Sequence, residues 1–193
     1  MPSRLLILLL LGLSLVTGGC DRQSRRERQA TQPADIASPQ AQATLEPVGI
    51  IDRSHKGEAA PSLSFMDPAD QAVTLASFAG KPLLLNLWAT WCAPCVAELP
   101  TLDRLAGTLG DKATVLVVSQ DLEGSAKVDP FFSAAKFSTL QPYRDPQAAL
   151  SIAYRSNLPT TILYDSTGHE VWRITGGMDW TGSKAAALIA EAS

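Results

Sequence analysis

Histidine is nearly absent from this chain of 193 residues: there are two, His55 and His169, far apart in the sequence. Cysteine is scarce too, with three, at positions 20, 92 and 95. That is too few for a disulfide-stapled scaffold, and with no second cysteine pair and no neighbouring histidine a zinc site lacks its ligand set, so no metal is expected. Positive charge is not in surplus. The 16 Lys and Arg face 19 Asp and Glu, a net charge of −3, which argues against nucleic acid as a partner. No internal repeat is evident, which sets solenoids aside. What is plentiful is apolar residue content, 46% of the chain, enough for one packed core plus extensions.

The longest apolar run, Leu5–Val16, follows Arg4 and is succeeded by the small residues Thr17-Gly18-Gly19 and then Cys20. A charged start, an apolar run and small residues make a secretory signal. Counted through Cys20 the uncharged stretch would span roughly 24 Å as a helix, short of the ~30 Å hydrocarbon core, so a cleaved signal is preferred to an uncleaved anchor. The ending in Cys20 resembles a bacterial lipoprotein cleavage site, where the cysteine is lipidated, although Thr17 stands where an aliphatic residue is usual. An ordinary signal peptide with an incidental cysteine is the plainer alternative. Acyl chains contribute about 0.8 kcal/mol per buried CH₂ and would hold the protein at a membrane. Asp21, by analogy with lipoprotein sorting, points to the inner membrane. Residues 1–19 are thus expected to be a lipoprotein-type signal. Residues 20–58 are expected to form a flexible membrane tether, because their Arg, Gln, Pro, Ala and Ser bury too little to offset ordering. Residues 59–193 form the folded domain.

Within that domain, Ser62–Met66 and Ala72–Leu75 read as a hairpin around Asp67-Pro-Ala-Asp70. Leu83–Trp88 is a continuous apolar run suited to a strand buried on both faces. A helix is predicted from Cys92 to Leu109, ending at Gly110. Thr114–Ser119 follows as a strand, Gly124–Phe137 as a helix, and Asp145–Tyr154 as a short helix with Pro146 at its first position. Two strands, Thr160–Tyr164 and Glu170–Thr175, and a helix over Ser183–Ala192 complete the domain. Strands alternating with helices, closed by a hairpin and helix, predict an α/β fold with a mixed central sheet.

Trp91-Cys92-Ala93-Pro94-Cys95 follows a buried strand and opens a helix. At a helix start Cys92 meets unpaired backbone N–H groups and the positive end of the dipole, both favouring thiolate. A free cysteine of pKa near 8.5 is only a few per cent thiolate at pH 7; lowering it to about 7 makes half of it nucleophilic. Pro94 fits the first turn. Cys95, one turn inward, can join Cys92 without unwinding the helix. Such a pair supplies a nucleophile and a resolving thiol. Half a metal site, or a structural disulfide whose short loop restrains the unfolded chain little, are the alternatives.

The run Leu84–Pro100, with Ala60-Pro61, Val73–Gly80, Leu158–Leu163 and Gly177-Met-Asp-Trp180 in the same order, resembles the thioredoxin-like TlpA/ResA/DsbE group of membrane-anchored thiol–disulfide oxidoreductases over about 130 of the 193 residues. The resemblance implies a thioredoxin-like fold with an N-terminal β-hairpin extension and a central insertion. It implies Cys92 as the exposed attacking thiol, Cys95 as the resolving one, and Pro159 as a cis-proline facing them, with the Leu158 backbone pairing to substrate. Trp91, Ala93 and Pro94 would form the rest of the substrate platform, and Trp88 would pack the sheet. Thioredoxins carry a buried acid six residues before the first cysteine, where this chain has Asn86; in the TlpA/ResA group the acid lies three residues after the second, here Glu98. Glu98 shares a helix face with Cys95, so a proton-shuttling role is implied. Pro100 is expected to kink that helix, and Asn157 to take a positive φ where relatives often have glycine.

No bound cofactor is implied. The implied activity is reduction of protein disulfides on the periplasmic face of the bacterial inner membrane. Its clients would be cytochrome c or copper-site maturation proteins, and a membrane thiol-relay protein of the DsbD/CcdA kind would restore the thiols. Two rivals differ in chemistry. A peroxiredoxin-type thiol peroxidase would need Thr or Ser where Ala89 stands, three residues before Cys92. A non-catalytic copper-delivery lipoprotein would need a wider cysteine spacing and a partner histidine.

Overall fold

The computed structural model describes residues 49–192. Their strands are β1 (Ile50–Asp52), β2 (Ser64–Met66), β3 (Ala72–Thr74), β4 (Leu83–Trp88), β5 (Thr114–Ser119), β6 (Tyr143–Arg144), β7 (Thr160–Tyr164) and β8 (Glu170–Thr175). The helices are α1 (Ala93–Leu109), α2 (Ser125–Ala135), α3 (Ala149–Tyr154) and α4 (Ser183–Ile189). All eight strands form one sheet in the order β1-β8-β7-β4-β5-β6-β2-β3. β4, β5 and β6 run parallel to one another, and every other pairing is antiparallel. This is the mixed α/β architecture the strand and helix pattern predicts, with the β2–β3 hairpin attached through β6 and with α2, β6 and α3 between β5 and β7.

β4 explains why the sheet centre reads as unbroken apolar sequence. Its six residues are all buried. Leu84 and Trp88 enter the core shared with Leu99, Leu102 and Leu105 of α1, whereas Leu83, Leu85 and Leu87 enter a second core with Phe65, Leu116, Leu150 and Ile162. Side chains alternate along a strand, so a strand covered on both faces needs apolar residues at every position. Asn86 breaks the pattern and falls on the Leu84–Trp88 face, toward α1. Trp88 packs on Phe131 and Phe132 of α2 with ring centroids 5.2 and 5.9 Å away.

Three sequence expectations are corrected. The tether does not run to residue 58, because Ile50, Ile51 and Asp52 pair with Thr175, Ile174 and Arg173 of β8. The helix expected from Asp145 starts at Ala149: Ala148 adopts a left-handed backbone (φ 50°) that interrupts the helical path, and the Asp145 carboxylate accepts the Leu150 N–H at 2.8 Å. Positive φ falls on Arg155 (51°), which ends α3, and not on Asn157. The signal, Cys20 and most of the tether lie outside the described residues. No helix among the described residues is long and apolar enough to cross a membrane.

Candidate active site

β4 ends at Trp88, the chain turns through Ala89–Trp91, and α1 begins with Cys92 as its N-cap residue. The Cys92 carbonyl accepts the Val96 N–H at 3.0 Å, and no side-chain cap closes this helix end. Cys92 and Cys95 are joined as a disulfide with Cα atoms 5.2 Å apart. Cys92 is 6% exposed and Cys95 is 0% exposed, so an incoming group reaches the pair only through Cys92. That opening is narrower than an exposed thiol would have, because Cys92 packs into the α1 core. Pro94 lies in the first turn, where its missing N–H leaves no helix bond unmade, and Pro100 lies within α1.

Trp91 is 69% exposed beside the cysteine turn. It lines a surface groove with Leu122, Asn157 and Leu158. The Leu158–Pro159 peptide bond is cis. Pro159 is buried and its carbonyl accepts the Gly176 N–H at 2.9 Å, which ties the proline loop to the end of β8. Ala93 and Pro94 are exposed on the first turn of α1.

Glu98 is fully buried on α1, one turn beyond Cys95. Its Oε1 accepts Asn86 Nδ2–H at 2.7 Å. Its Oε2 accepts the Met178 N–H at 3.0 Å and the Trp180 Nε1–H at 3.3 Å. The loop carrying the last two donors lies over the helix start: a Cβ at Gly177 would sit 3.7 Å from Pro94 and 3.8 Å from Glu98 Oε2. Removal from water pushes the Glu98 carboxyl up to about 7, and the bonds from Met178, Asn86 and Trp180 moderate that rise. A carboxyl that titrates near neutrality on the same helix face as the resolving cysteine can take up and return a proton at working pH.

Sequence reasoning missed a second carboxyl. Asp121, just past β5, is 1% exposed and accepts Thr90 N–H at 2.9 Å, Thr90 Oγ1–H at 2.7 Å and Ser119 Oγ–H at 2.7 Å. It thereby clamps the residue two places before Cys92. The Met178 and Trp180 donors were equally hidden. Their motif was visible in the sequence, but nothing in it shows that they reach Glu98, some 80 positions away.

A redoxin family model matches residues 55–189. Over 124 residues the chain is 32% identical to the thiol–disulfide oxidoreductase ResA of Geobacillus kaustophilus, covering 63% of this chain and 70% of that protein. It is 31% identical over 115 residues to the thioredoxin-like protein YneN of Bacillus subtilis, covering 58% and 67%. Among solved structures, the exposed lipoprotein thioredoxin Etrx1 of Streptococcus pneumoniae superposes with TM-score 0.57 at 26% identity, covering 68% of this chain and 98% of that one. StoA of Bacillus subtilis shares the fold, with TM-score 0.54 at 20% identity over 69% of this chain and all of that one. A helix-capping cysteine pair on this sheet, in a chain so matched, leads to one assignment: the protein belongs to the redoxin family, alongside the ResA proteins, and is a thiol–disulfide oxidoreductase.

Proposed function

We propose that the protein is a membrane-tethered, extracytoplasmic reductant of protein disulfides, with Cys92 attacking, Cys95 resolving and Glu98 exchanging the proton. The observation that carries this reading is the buried Glu98 carboxyl, raised to about 7, one helical turn beyond Cys95. In the reduced protein the Cys92 thiolate attacks one sulfur of a client disulfide. The client S–S bond breaks, its second sulfur departs as thiolate, and a Cys92–client mixed disulfide forms. Cys95 then gives its proton to the Glu98 carboxylate and attacks the Cys92 sulfur. The first client sulfur leaves as a thiolate and takes the single proton back from Glu98, the other client sulfur having already departed as thiolate, and Cys92 and Cys95 are left joined. Two electrons have passed from the protein to the client. A membrane thiol-relay protein of the DsbD/CcdA class would return them.

Trp91, Ala93, Pro94, Leu158 and Pro159 are the proposed client platform: Trp91, Ala93 and Pro94 are exposed next to Cys92 in the chain, Leu158 is half-buried, and Pro159 is buried at the cis peptide bond. The tether reading rests on the apolar run Leu5–Val16 and on Cys20, and it is supported by the lipoprotein character of Etrx1. Cytochrome c and copper-site maturation proteins are the proposed clients, on the family resemblance. The test is trapping: Cys95→Ser expressed in its own cell envelope should accumulate a client bound through Cys92, released by reductant and identified by mass spectrometry. Recovery of no adduct, while Cys92 remains alkylatable, would overturn the reading. Cys20→Ser should move the protein from the membrane pellet to the soluble fraction; retention in the pellet would exclude the lipid anchor.

A further inference from the structure

Asn86 is a fully buried amide in the middle of β4, facing α1. Both hydrogens of its Nδ2 are engaged, one with Glu98 Oε1 at 2.7 Å and one with Thr161 Oγ1 of β7 at 2.9 Å. Its Oδ1 is buried and has no hydrogen-bond partner among the described residues. A buried carbonyl oxygen left unpaired is costly, and a residue that pays this in one state is suspect of using that oxygen in another.

The second state follows from donor and acceptor inventory. Every partner on Glu98 is a donor: Asn86 Nδ2, Met178 N and Trp180 Nε1. This set suits a carboxylate, which only accepts. Oε2 already takes two donors, so a proton arriving on Glu98 belongs on Oε1, the atom facing Asn86. A hydroxyl hydrogen on Oε1 directed at Asn86 needs an acceptor there, and an amide nitrogen cannot accept. Rotating the amide by half a turn brings Oδ1 to the place of Nδ2. There it accepts from the Glu98 hydroxyl and from Thr161 Oγ1–H, because a threonine hydroxyl donates as readily as it accepts. The swap exchanges two atoms of nearly equal size, needs no backbone movement, and puts Nδ2 where Oδ1 stood, so each protonation state leaves one end of the amide unpaired.

We infer that Asn86 is a positioning residue whose side-chain amide turns over with the protonation of Glu98, holding the acid in one place whether or not it carries a proton. The inference deepens the proposed role of Glu98 and rests on that role. The groups facing the Glu98 carboxyl are Asn86 from β4, Met178 and Trp180 from the loop after β8, and Cys95 on its own helix face. Among the described residues no charged side chain contributes to its shift, which comes from burial and the three donors. Thr161 of β7 completes the set from the far side of Asn86.

The test uses the disulfide form, in which neither cysteine titrates. The Asn86 side-chain ¹⁵NH₂ pair and the Glu98 ¹³Cδ are followed by NMR from about pH 5 to 9. The Asn86 protons should lose their downfield, hydrogen-bonded shifts as the pH falls, with the same midpoint as the Glu98 carboxyl, and should become pH-independent in Glu98→Gln. An Asn86 pair that holds its shifts while Glu98 titrates makes the amide a fixed donor and overturns the inference, as does a Glu98 that never titrates in that range. Asn86→Leu adds a second reading. An amide serving both forms predicts a rise in the Glu98 midpoint of less than about one pH unit, or tenfold in the proton equilibrium, whereas loss of a fixed donor to a carboxylate gives more. The role of Glu98 itself fails separately, if thiol-exchange rates of Glu98→Gln match the parent.

Discussion

Asp121 and Glu98 are both buried carboxyls with three hydrogen-bond donors apiece, and one ties down the residues before the cysteines while the other sits on the helix after them. Their donors differ in origin. Asp121 holds Thr90 of the cysteine turn and its near neighbour Ser119, so it fixes the approach of the chain to Cys92. Glu98 takes donors from β4 and from the loop after β8, and it lies on the face of α1 that carries Cys95. Burial and bond count do not separate the two roles; placement relative to the thiols does. A carboxyl that braces a turn and a carboxyl proposed to trade protons occupy the same degree of burial within one site.

The largest expected effect tests the shared object of both carboxyls. Cys92→Ser should abolish disulfide exchange in an insulin-reduction assay, and residual turnover comparable to the parent would mean that another group attacks. Next, Glu98→Gln should slow exchange by about 10²-fold, the low end of general acid–base contributions, as followed by stopped-flow tryptophan fluorescence. The same variant sharpens the comparison through stability. With its folded value raised from 4.5 to about 7, Glu98 keeps its proton in the native state over a range where the unfolded chain has released it. Native stability attributable to this group should therefore fall as pH rises across that window, by up to about 3 kcal/mol, and be flat above it. Denaturant melts of Glu98→Gln from pH 4 to 8 should lose that slope.

Asp121→Ala should cost about 2–3 kcal/mol of stability, since it strands the Thr90 donors and removes hydrogen bonds to a charged group. The pH profile of exchange should keep its shape. A displaced profile would erase the distinction between brace and proton carrier. The smallest effect is reserved for Trp91→Ala. Stability should change by no more than about 0.5 kcal/mol, as for an exposed side chain. Exchange with a protein disulfide should slow relative to exchange with a small-molecule disulfide. Equal slowing of both would move Trp91 from the client platform to the thiol environment.

The sheet centre was legible because its chemistry is unambiguous. β4, β5, β7 and β8 span the same residues as their apolar runs, since strands covered on both faces admit few polar side chains. β1 and β6 escaped notice for the opposite reason: with three and two residues they carry no periodicity, and they exist through pairing with β8 and β5. The start of α3 was misplaced because Pro146 signals a helix start, whereas the left-handed Ala148 delays it. At the site, the cysteines and Glu98 were readable from spacing and family resemblance. The partners of Glu98 and the Asp121 clamp were not, because they are contacts between segments 12 to 82 residues apart that no local pattern encodes.

The most direct measurement is the rate of Cys92 alkylation by iodoacetamide in the reduced protein across about pH 5 to 9, for the parent and for Glu98→Gln. A thiolate seated at the start of α1 and coupled to a neutral-range carboxyl predicts fast alkylation at pH 7, with an inflection near 7 that Glu98→Gln removes. A single titration near 8.5, the value of an ordinary cysteine, and the same in both proteins, would contradict it.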